Sequence, residues 1–266
     1  NPNFAVSVKP DYLAKQAEKA KRQPSFMNEY LRLHLNVWTA QATRWLSLDK
    51  WDALAVDVDL EALRDRPCYA GLDLSSKLDL TSLVLVFPEP DGSMLLVPRF
   101  WIPEDRVKDE LAKGRAHYAN WVRDEHLIAT PGAVVDQEFI RAEVNRLAGM
   151  FDLRELAYDR WGATALATRL VEEDGRTLAE FGQGYKSMSE PAKDFEARIV
   201  AGKLKHDGNP VLRWCVSNVS VRSDPAGNIK PDKETSTGKI DGVVAAVMGL
   251  ARANLAGASA PLVSFV

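Results

Sequence analysis

Three aspartates lie where the sequence changes from one secondary-structure pattern to another. Asp73 lies in an apolar strand-like run (CYAGLDLSSKLDLTS), Asp159 follows another such run (LRELAYDRWGA), and Asp241 begins an apolar helical stretch (KIDGVVAAVMGLARA). Carboxylates at strand ends and helix N-termini can meet in a folded sheet although they are distant in sequence. Three carboxylates that meet cannot all stay ionised without a cation, because like charges raise one another's pKa. The sequence therefore predicts a site for Mg²⁺ or Mn²⁺, which suits phosphodiester chemistry.

Each of these acidic residues also has a structural alternative. Asp73 could cap a turn, while Asp159 and Asp241 could each be the N-cap of the helix that follows. Two further aspartates are auxiliary candidates for the same site. Asp136 ends the VV run and could equally cap the helix QEFIRAEV, and Asp79 lies in the turn after Asp73, where turn formation is the alternative role.

The segment from Gln183 to Ile240 carries a modest excess of positive charge. It contains ten Lys and Arg residues and seven Asp and Glu residues, whereas the whole chain has a formal net charge of −3. A basic surface beside an acidic pocket suits a substrate with a phosphate backbone, although an exposed basic residue usually only faces solvent. The candidates for DNA contact in this segment are Lys186, Lys205, His206, Lys233 and Lys239.

The composition excludes several other classes of protein. The chain is 46% apolar and 27% charged, which is ordinary for a soluble globular protein, and no apolar run approaches the roughly 20 residues that span a bilayer.

Cys68 and Cys215 lie in strand-like apolar runs, which predicts buried, reduced thiols. There is no GxxxxGK[ST] loop, so ATP hydrolysis by this chain alone is not expected. The amino end, without an initiator Met or a signal pattern, suggests a piece of a longer chain.

The elements that must position the aspartates change along the chain. Residues 1–65 are mostly helical in pattern and poor in apolar surface, and we expect them to form a linker or arm. Three short apolar runs between residues 66 and 103 then predict an antiparallel meander, and strand-like and helical patterns alternate afterwards. The expected fold is α/β: a mixed sheet, built from the meander and βαβ units, with helices on both faces. This domain would span 66–256, followed by a tail at 257–266.

Some elements are predicted in more detail. Residues 104–126 have the pattern of one continuous helix, and residues 222–239 that of an exposed loop or hairpin.

Taken together, these motifs resemble the carboxyl-terminal nuclease domain of the large terminase subunit of tailed bacteriophages. That domain has the RNase H-like fold, which junction resolvases and retroviral-type integrases share. The amino-terminal stretch NPNFAVSV through LSLDKWDA resembles the segment that links the terminase ATPase and nuclease domains. The other matching segments are, in order, AGLDLSSKLDLTSLVLVF, VVDQEFI, AYDRWGATALATRL, LKHDGNPVLRWCVSN and GKIDGVVAAVMGL.

The resemblance implies a function. Asp73 would bridge two divalent cations, Mg²⁺ or Mn²⁺, while Asp159 would hold one of them and Asp241 the other. The enzyme would cut concatemeric double-stranded DNA by two-metal-ion hydrolysis during genome packaging, in the cytoplasm of the infected bacterial host. Its partners would be the ATPase domain of the same full-length chain, a small terminase subunit and the portal protein, with no membrane involved.

Two alternatives to this function remain open at this point. One is another RNase H-like nuclease, of the junction-resolvase or transposase type. The other is a module that docks on DNA or on the portal without cutting, its aspartates serving only as caps.

Overall fold

A mixed sheet of seven strands lies at the centre of the described chain, and a two-stranded hairpin follows it in sequence. The structure is a computed structural model that describes residues 7–23, 26, 30–31, 33–35, 45–74 and 79–259, without the side chains of 161–163 and 257–259. The strands of the sheet are β1 (Pro67–Asp73), β2 (Thr81–Pro88), β3 (Met94–Pro103), β4 (Ile128–Thr130), β5 (Asp152–Tyr158), β6 (Leu178–Glu180) and β7 (Leu204–His206), and the hairpin consists of β8 (Val221–Ser223) and β9 (Ile229–Pro231).

The sheet combines antiparallel and parallel pairing. β1, β2 and β3 form an antiparallel meander, and β5 and β6 extend the sheet beyond β1 in parallel, giving the order β4-β3-β2-β1-β5-β6. β4 and β7 both pair in parallel with β3, one near each of its ends. Short loops can join only antiparallel neighbours, whereas parallel neighbours need crossover connections. The predicted meander followed by βαβ units is therefore confirmed.

Helices cover both faces of the sheet. Alternate residues of β2 point to opposite sides, so that Val84 and Val86 belong to one buried cluster and Leu83 and Leu85 to the other. The cluster around Val84 includes residues of the helices at 185–201, 210–218 and 241–259, and the other cluster includes residues of the helices at 137–150 and 160–172. The helices are α1 (Pro10–Arg22), α2 (Leu48–Asp52), α3 (Glu104–Ala112), α4 (His117–Arg123), α5 (Gln137–Met150), α6 (Arg160–Glu172), α7 (Tyr185–Ala201), α8 (Pro210–Asn218) and α9 (Asp241–Ser259), with a 3₁₀ turn at Glu61–Leu63.

The last helix, α9, packs directly on β1 because both elements have a glycine at their contact. A Cβ atom on Gly71 would lie 2.0 Å from the carbonyl oxygen of Ala245, and one on Gly249 would lie 2.9 Å from the Gly71 nitrogen. Asp73 is two residues beyond Gly71, about 7 Å along the strand. Asp241 is four residues before Ala245, about 6 Å along the helix. The close contact therefore holds both aspartates at the same edge of the sheet.

Two local predictions differ from the structure. Cys215 lies in α8 and not in a strand, because the Asn209 side chain caps this helix by accepting hydrogen bonds from two backbone N–H groups and Pro210 occupies its first turn. Residues 104–126 form two helices, α3 and α4, with Gly114 between them in a left-handed conformation (φ 77°). The two cysteines are buried free thiols, as predicted, and lie in the clusters on opposite faces of the sheet.

The last part of the predicted arm packs into the sheet domain. Trp45 and Trp51 are fully buried, and both rings contact Phe195 of α7. The part of the predicted helical arm between α1 and residue 45 lies largely outside the described residues, and the predicted tail at 257–266 begins within α9, with residues 260–266 outside the description. The division of the chain at residue 65 stays a prediction. Within the described chain, no helix has the length and apolar character needed to cross a bilayer.

The contact between α9 and β1 gives a first testable prediction. Gly71→Ala places a methyl group against the α9 backbone, which cannot move aside without shifting the whole helix. We expect the free energy of unfolding to fall by about 3 kcal/mol, the upper end of the usual cost of overpacking. Urea unfolding followed by circular dichroism measures this change.

Gly149→Ala is the matched control. Gly149 is exposed near the end of α5, and no atom lies within 4 Å of the position that its Cβ would occupy. Alanine should leave stability unchanged or raise it by about 0.5 kcal/mol, because alanine favours helix more than glycine does. A Gly71→Ala protein that unfolds at the wild-type urea midpoint would contradict the close contact.

Candidate functional site

Asp73 and Asp241 meet around the side chain of Lys233. The Lys233 Nζ atom lies 2.9 Å from Asp73 Oδ2 and 2.9 Å from Asp241 Oδ1. The two aspartates are 1% and 3% exposed, whereas the lysine side chain is 48% exposed and comes from the loop after β9. A single ammonium group thus lies between two buried carboxylates at the edge of the sheet.

Strand ends and a helix N-terminus hold the acidic pair. Asp73 is the last residue of β1 and Asp241 the first of α9. The second oxygen of Asp73, Oδ1, accepts a hydrogen bond of 3.0 Å from Gln183 Nε2. Gln183 follows β6, a parallel strand that ends at the same edge of the sheet as β1. Gln183 is not among the residues predicted from the sequence, although a polar residue after a strand at this edge is a usable signal.

The charges of the acidic pair are only partly balanced. Burial raises the pKa of the Asp241 carboxyl above its usual range, and the negative charge of Asp73 raises it further, while Lys233 acts in the opposite direction. For Lys233, burial lowers the pKa, but the two carboxylates outweigh burial and the pKa is raised. Two carboxylates that share one ammonium retain a net negative charge when ionised, so the site favours additional positive charge.

A buried hydroxyl lies beside the pair. Ser82 is directly opposite Asp73 in the antiparallel ladder, so both side chains point to the α9 face. Ser82 Oγ is buried, and no hydrogen-bond partner for it is found within the described part of the chain. A buried hydroxyl without a partner costs about 1–3 kcal/mol. The Ser82 hydroxyl and the two carboxylates are hard oxygen donors, and the Lys233 ammonium group lies where a metal ion could bind. These groups fit a divalent cation with its bound water.

Asp159 lies at the same edge, directly after the neighbouring strand β5. It follows Tyr158, whose register partner on β1 is Leu72, so that Asp159 and Asp73 continue adjacent parallel strands. Ala157 packs with the α9 side of the core, and the alternation of the strand puts Asp159 on that face as well. Within the described ranges, however, no group of three or more His, Cys, Asp or Glu side chains has an arrangement that could hold a metal ion. The structure brings Asp73 and Asp241 together and leaves Asp159 adjacent to them in the sheet.

Asp79 and Lys239 border the site. Asp79 Oδ1 accepts a hydrogen bond of 2.9 Å from the Leu80 N–H, which is the predicted turn role, and Asp79 Oδ2 forms an ion pair with Lys239. Both residues line an open cleft of about 490 Å³, together with Lys233 and Asp241. The cleft therefore leads from solvent to Lys233 and to Asp241, one member of the acidic pair.

Asp136 has the capping role that the sequence left open. It is the N-cap of α5, where its Oδ1 accepts a hydrogen bond of 2.9 Å from the Glu138 N–H. Its carboxylate is exposed. The described contacts of Asp136 give no support to its auxiliary role in the acidic site.

His206 has a structural role in the fold, and its burial gives no support to the predicted DNA contact. The residue is 2% exposed, and its ring stacks on Trp51 at 4.1 Å between centroids. Nε2 donates to the Trp51 carbonyl oxygen at 2.9 Å, and Nδ1 accepts from the Gly208 N–H at 3.1 Å. Both ring nitrogens are therefore engaged inside the protein.

The other two basic candidates differ in their distance from the acidic pair. Lys205 pairs with Leu95 on β3, whereas the β3 residue in register with Ser82 is Phe100. Lys205 therefore lies about five residues along the sheet from the acidic pair, roughly 17 Å. Lys186 is exposed in the first turn of α7, three residues after Gln183. Lys186 thus stays a candidate for DNA contact, and the position of Lys205 weakens its case.

Comparison with known proteins shows which family this sequence matches. Residues 1–256 match the family described as "Terminase large subunit, endonuclease domain". The chain is 37% identical over 261 residues to the large terminase subunit of Enterobacteria phage HK97, covering 96% of this chain and 50% of that protein. The chain thus spans about half the length of this curated relative.

Solved structures show the same fold. The crystal structure of the HK97 bacteriophage large terminase superposes with a TM-score of 0.72 at 37% identity, over 95% of this chain and 52% of that one. The large terminase nuclease from thermophilic phage G20c, solved with bound magnesium, gives a TM-score of 0.51 at 10% identity, over 78% of this chain and 97% of that one. At 10% identity, the similarity to the G20c nuclease shows a shared fold and nothing more.

The buried imidazole gives a prediction about pH. Burial lowers the pKa of His206 below its usual value of about 6.5. Protonation therefore favours the unfolded chain, and the stability present above about pH 6.5 is lost as the pH falls toward the folded-state pKa. We expect the melting temperature of His206→Gln to fall less than that of the wild type between about pH 7.5 and about pH 5.

His126→Gln is the control for this measurement, because the His126 side chain is exposed. It should keep the wild-type dependence of melting temperature on pH. An equally steep decline in His206→Gln would show that the His206 ring does not carry the effect.

Proposed function

Because the chain belongs to the family of terminase large subunit endonuclease domains, we propose that it is a metal-dependent endonuclease that cuts concatemeric double-stranded DNA during viral genome packaging. The observation that carries this proposal is the pair of buried carboxylates, Asp73 and Asp241, around a single positive charge. Such a pair is costly to maintain unless it binds cations.

Asp73, Asp159 and Asp241 are the proposed metal ligands. Asp73 and Asp241 already face one cationic group, and the register of β5 on β1 supports Asp159 as the third carboxylate. Two bound divalent cations, Mg²⁺ or Mn²⁺, would lower the pKa of a water molecule and offset charge on the scissile phosphate. The structure of the G20c nuclease with magnesium supports this choice of ion class.

The remaining residues of the site orient a proposed ligand and place a hydroxyl group beside it. Gln183 Nε2 holds Asp73 Oδ1 and thereby fixes the rotamer of the carboxylate. The Ser82 hydroxyl is available to a water molecule or to a phosphate oxygen beside Asp73. Burial of both aspartates strengthens their interaction with cations, because the effective dielectric constant is lower than in water.

DNA would approach through the cleft that opens beside Asp241. Lys239, on its border, and Lys186, in the first turn of α7, are the proposed phosphate contacts. Contacts to backbone phosphates position DNA without reading its sequence. We therefore expect little intrinsic sequence preference from this domain.

The wider assembly is part of the same proposal. Since the HK97 relative is about twice as long as this chain, we propose that ATP hydrolysis belongs to an ATPase domain in the same full-length protein. A small terminase subunit would choose the cutting site, and the portal protein would be the docking partner. The complex would act in the cytoplasm of the infected bacterium.

Cleavage of supercoiled plasmid tests the proposal. The protein should nick and linearise the plasmid in Mn²⁺ or Mg²⁺ but not in EDTA. Asp73→Asn, Asp159→Asn and Asp241→Asn should each lower the cleavage rate at least about a hundredfold, the usual cost of removing a group that stabilises the transition state.

Asp152→Asn is the matched control. Asp152 lies at the opposite end of β5 from Asp159 and pairs with Arg154. The same loss of one carboxylate at that end should leave the cleavage rate within about twofold of the wild type, as expected for a position away from the active site. Metal-independent cleavage, or full activity of the Asp73→Asn protein, would contradict the proposed function.

A further inference from the structure

The ammonium group of Lys233 binds two buried carboxylates, although lysine side chains at a surface usually face solvent. Two of its three N–H donors point to Asp73 and Asp241, which belong to separate elements, β1 and α9. The side chain itself is half-exposed. The ammonium group can therefore leave the carboxylates toward the cleft without disturbing the core.

The loop that carries Lys233 is held in place by the residue before it. Asp232 is 5% exposed, and its Oδ2 accepts hydrogen bonds from Arg222 Nε at 3.0 Å and from Thr235 Oγ1 at 2.8 Å. Its carbonyl oxygen accepts a hydrogen bond of 2.7 Å from Ser236 Oγ. These contacts fix the backbone on both sides of Lys233, so the position of the lysine next to the acidic pair is built into the fold.

We propose that Lys233 is the internal counter-ion of the metal-free protein, and that a divalent cation must displace its ammonium group from Asp73 and Asp241 to occupy the site. This inference rests on the proposed metal-dependent function. Without the ammonium group, the two buried carboxylates would repel each other. With it, an incoming cation meets a positive charge that already occupies the carboxylate oxygens.

The competition has two consequences. In the metal-free state, Lys233 keeps the acidic pair assembled, so loading of the site requires no rearrangement of β1 or α9. The lysine also weakens metal binding, because part of the binding energy of the cation is used to release the ammonium group. Lys233 is thus a positioning residue that sets the metal concentration at which the site fills.

Titration of the protein with Mn²⁺ in a calorimeter, without DNA, tests this role. Lys233→Met keeps an unbranched side chain, one atom shorter, but removes its charge, and it should bind Mn²⁺ at least about tenfold more tightly than the wild type. Lys230→Met removes the same charge from β9, where the ammonium group lies 5.6 Å from the centre of the Tyr185 ring. This control should keep the wild-type affinity.

A second measurement, on the wild-type protein, tests the displacement even if Lys233→Met does not fold. In protein labelled with ¹³C at lysine Cε, the Lys233 signal, assigned through its loss in Lys233→Arg, should shift on addition of Mg²⁺. The Lys230 signal should not shift. A Lys233 signal that stays unchanged while Mg²⁺ binds would overturn the proposed displacement.

The outcomes separate this inference from the proposed function. A Lys233→Met protein that binds Mn²⁺ with wild-type or weaker affinity contradicts the displacement alone. Failure of both the wild type and Lys233→Met to bind Mn²⁺ contradicts the metal-dependent function as well. Tighter binding by Lys233→Met, with unchanged binding by Lys230→Met, supports both.

Discussion

The repulsion between two buried carboxylates is the constraint on which the site depends. Asp73 and Asp241 are almost fully buried and close enough to share one ammonium group, and burial of unpaired charges is costly in a protein interior. The fold meets this constraint by holding Lys233 between them. The same geometry that makes the pair unfavourable without a cation makes it a good ligand for one, so stability and proposed chemistry have a common origin.

The sheet and its last helix create this geometry through backbone contacts. The paired glycines Gly71 and Gly249 let α9 approach β1 more closely than side chains would allow. Parallel pairing of β5 with β1 brings Asp159 to the same edge. Residues far apart in the sequence therefore meet because strand ends and a helix N-terminus coincide. The position of Gln183 after β6 follows the same rule and adds a hydrogen bond to Asp73.

Much of this arrangement could be predicted from local patterns. The meander, the mixed sheet, the apolar α9 and the position of Asp73 and Asp241 at element ends all follow from the periodicity of apolar residues. Tertiary contacts could not be predicted in this way. The role of Lys233 depends on a loop held by Asp232, and that of Ser82 on the register with β1. The packing of His206 could not be predicted either, because a polar residue in a basic stretch does not show that its ring stacks on Trp51, 155 residues away.

Anomalous diffraction from crystals of this protein soaked in Mn²⁺ would test the central claim most directly. The account predicts a manganese peak in contact with the carboxylate oxygens of both Asp73 and Asp241, with the Lys233 side chain moved away from them. A manganese peak elsewhere, or Lys233 still bound to both carboxylates beside an occupied site, would contradict it.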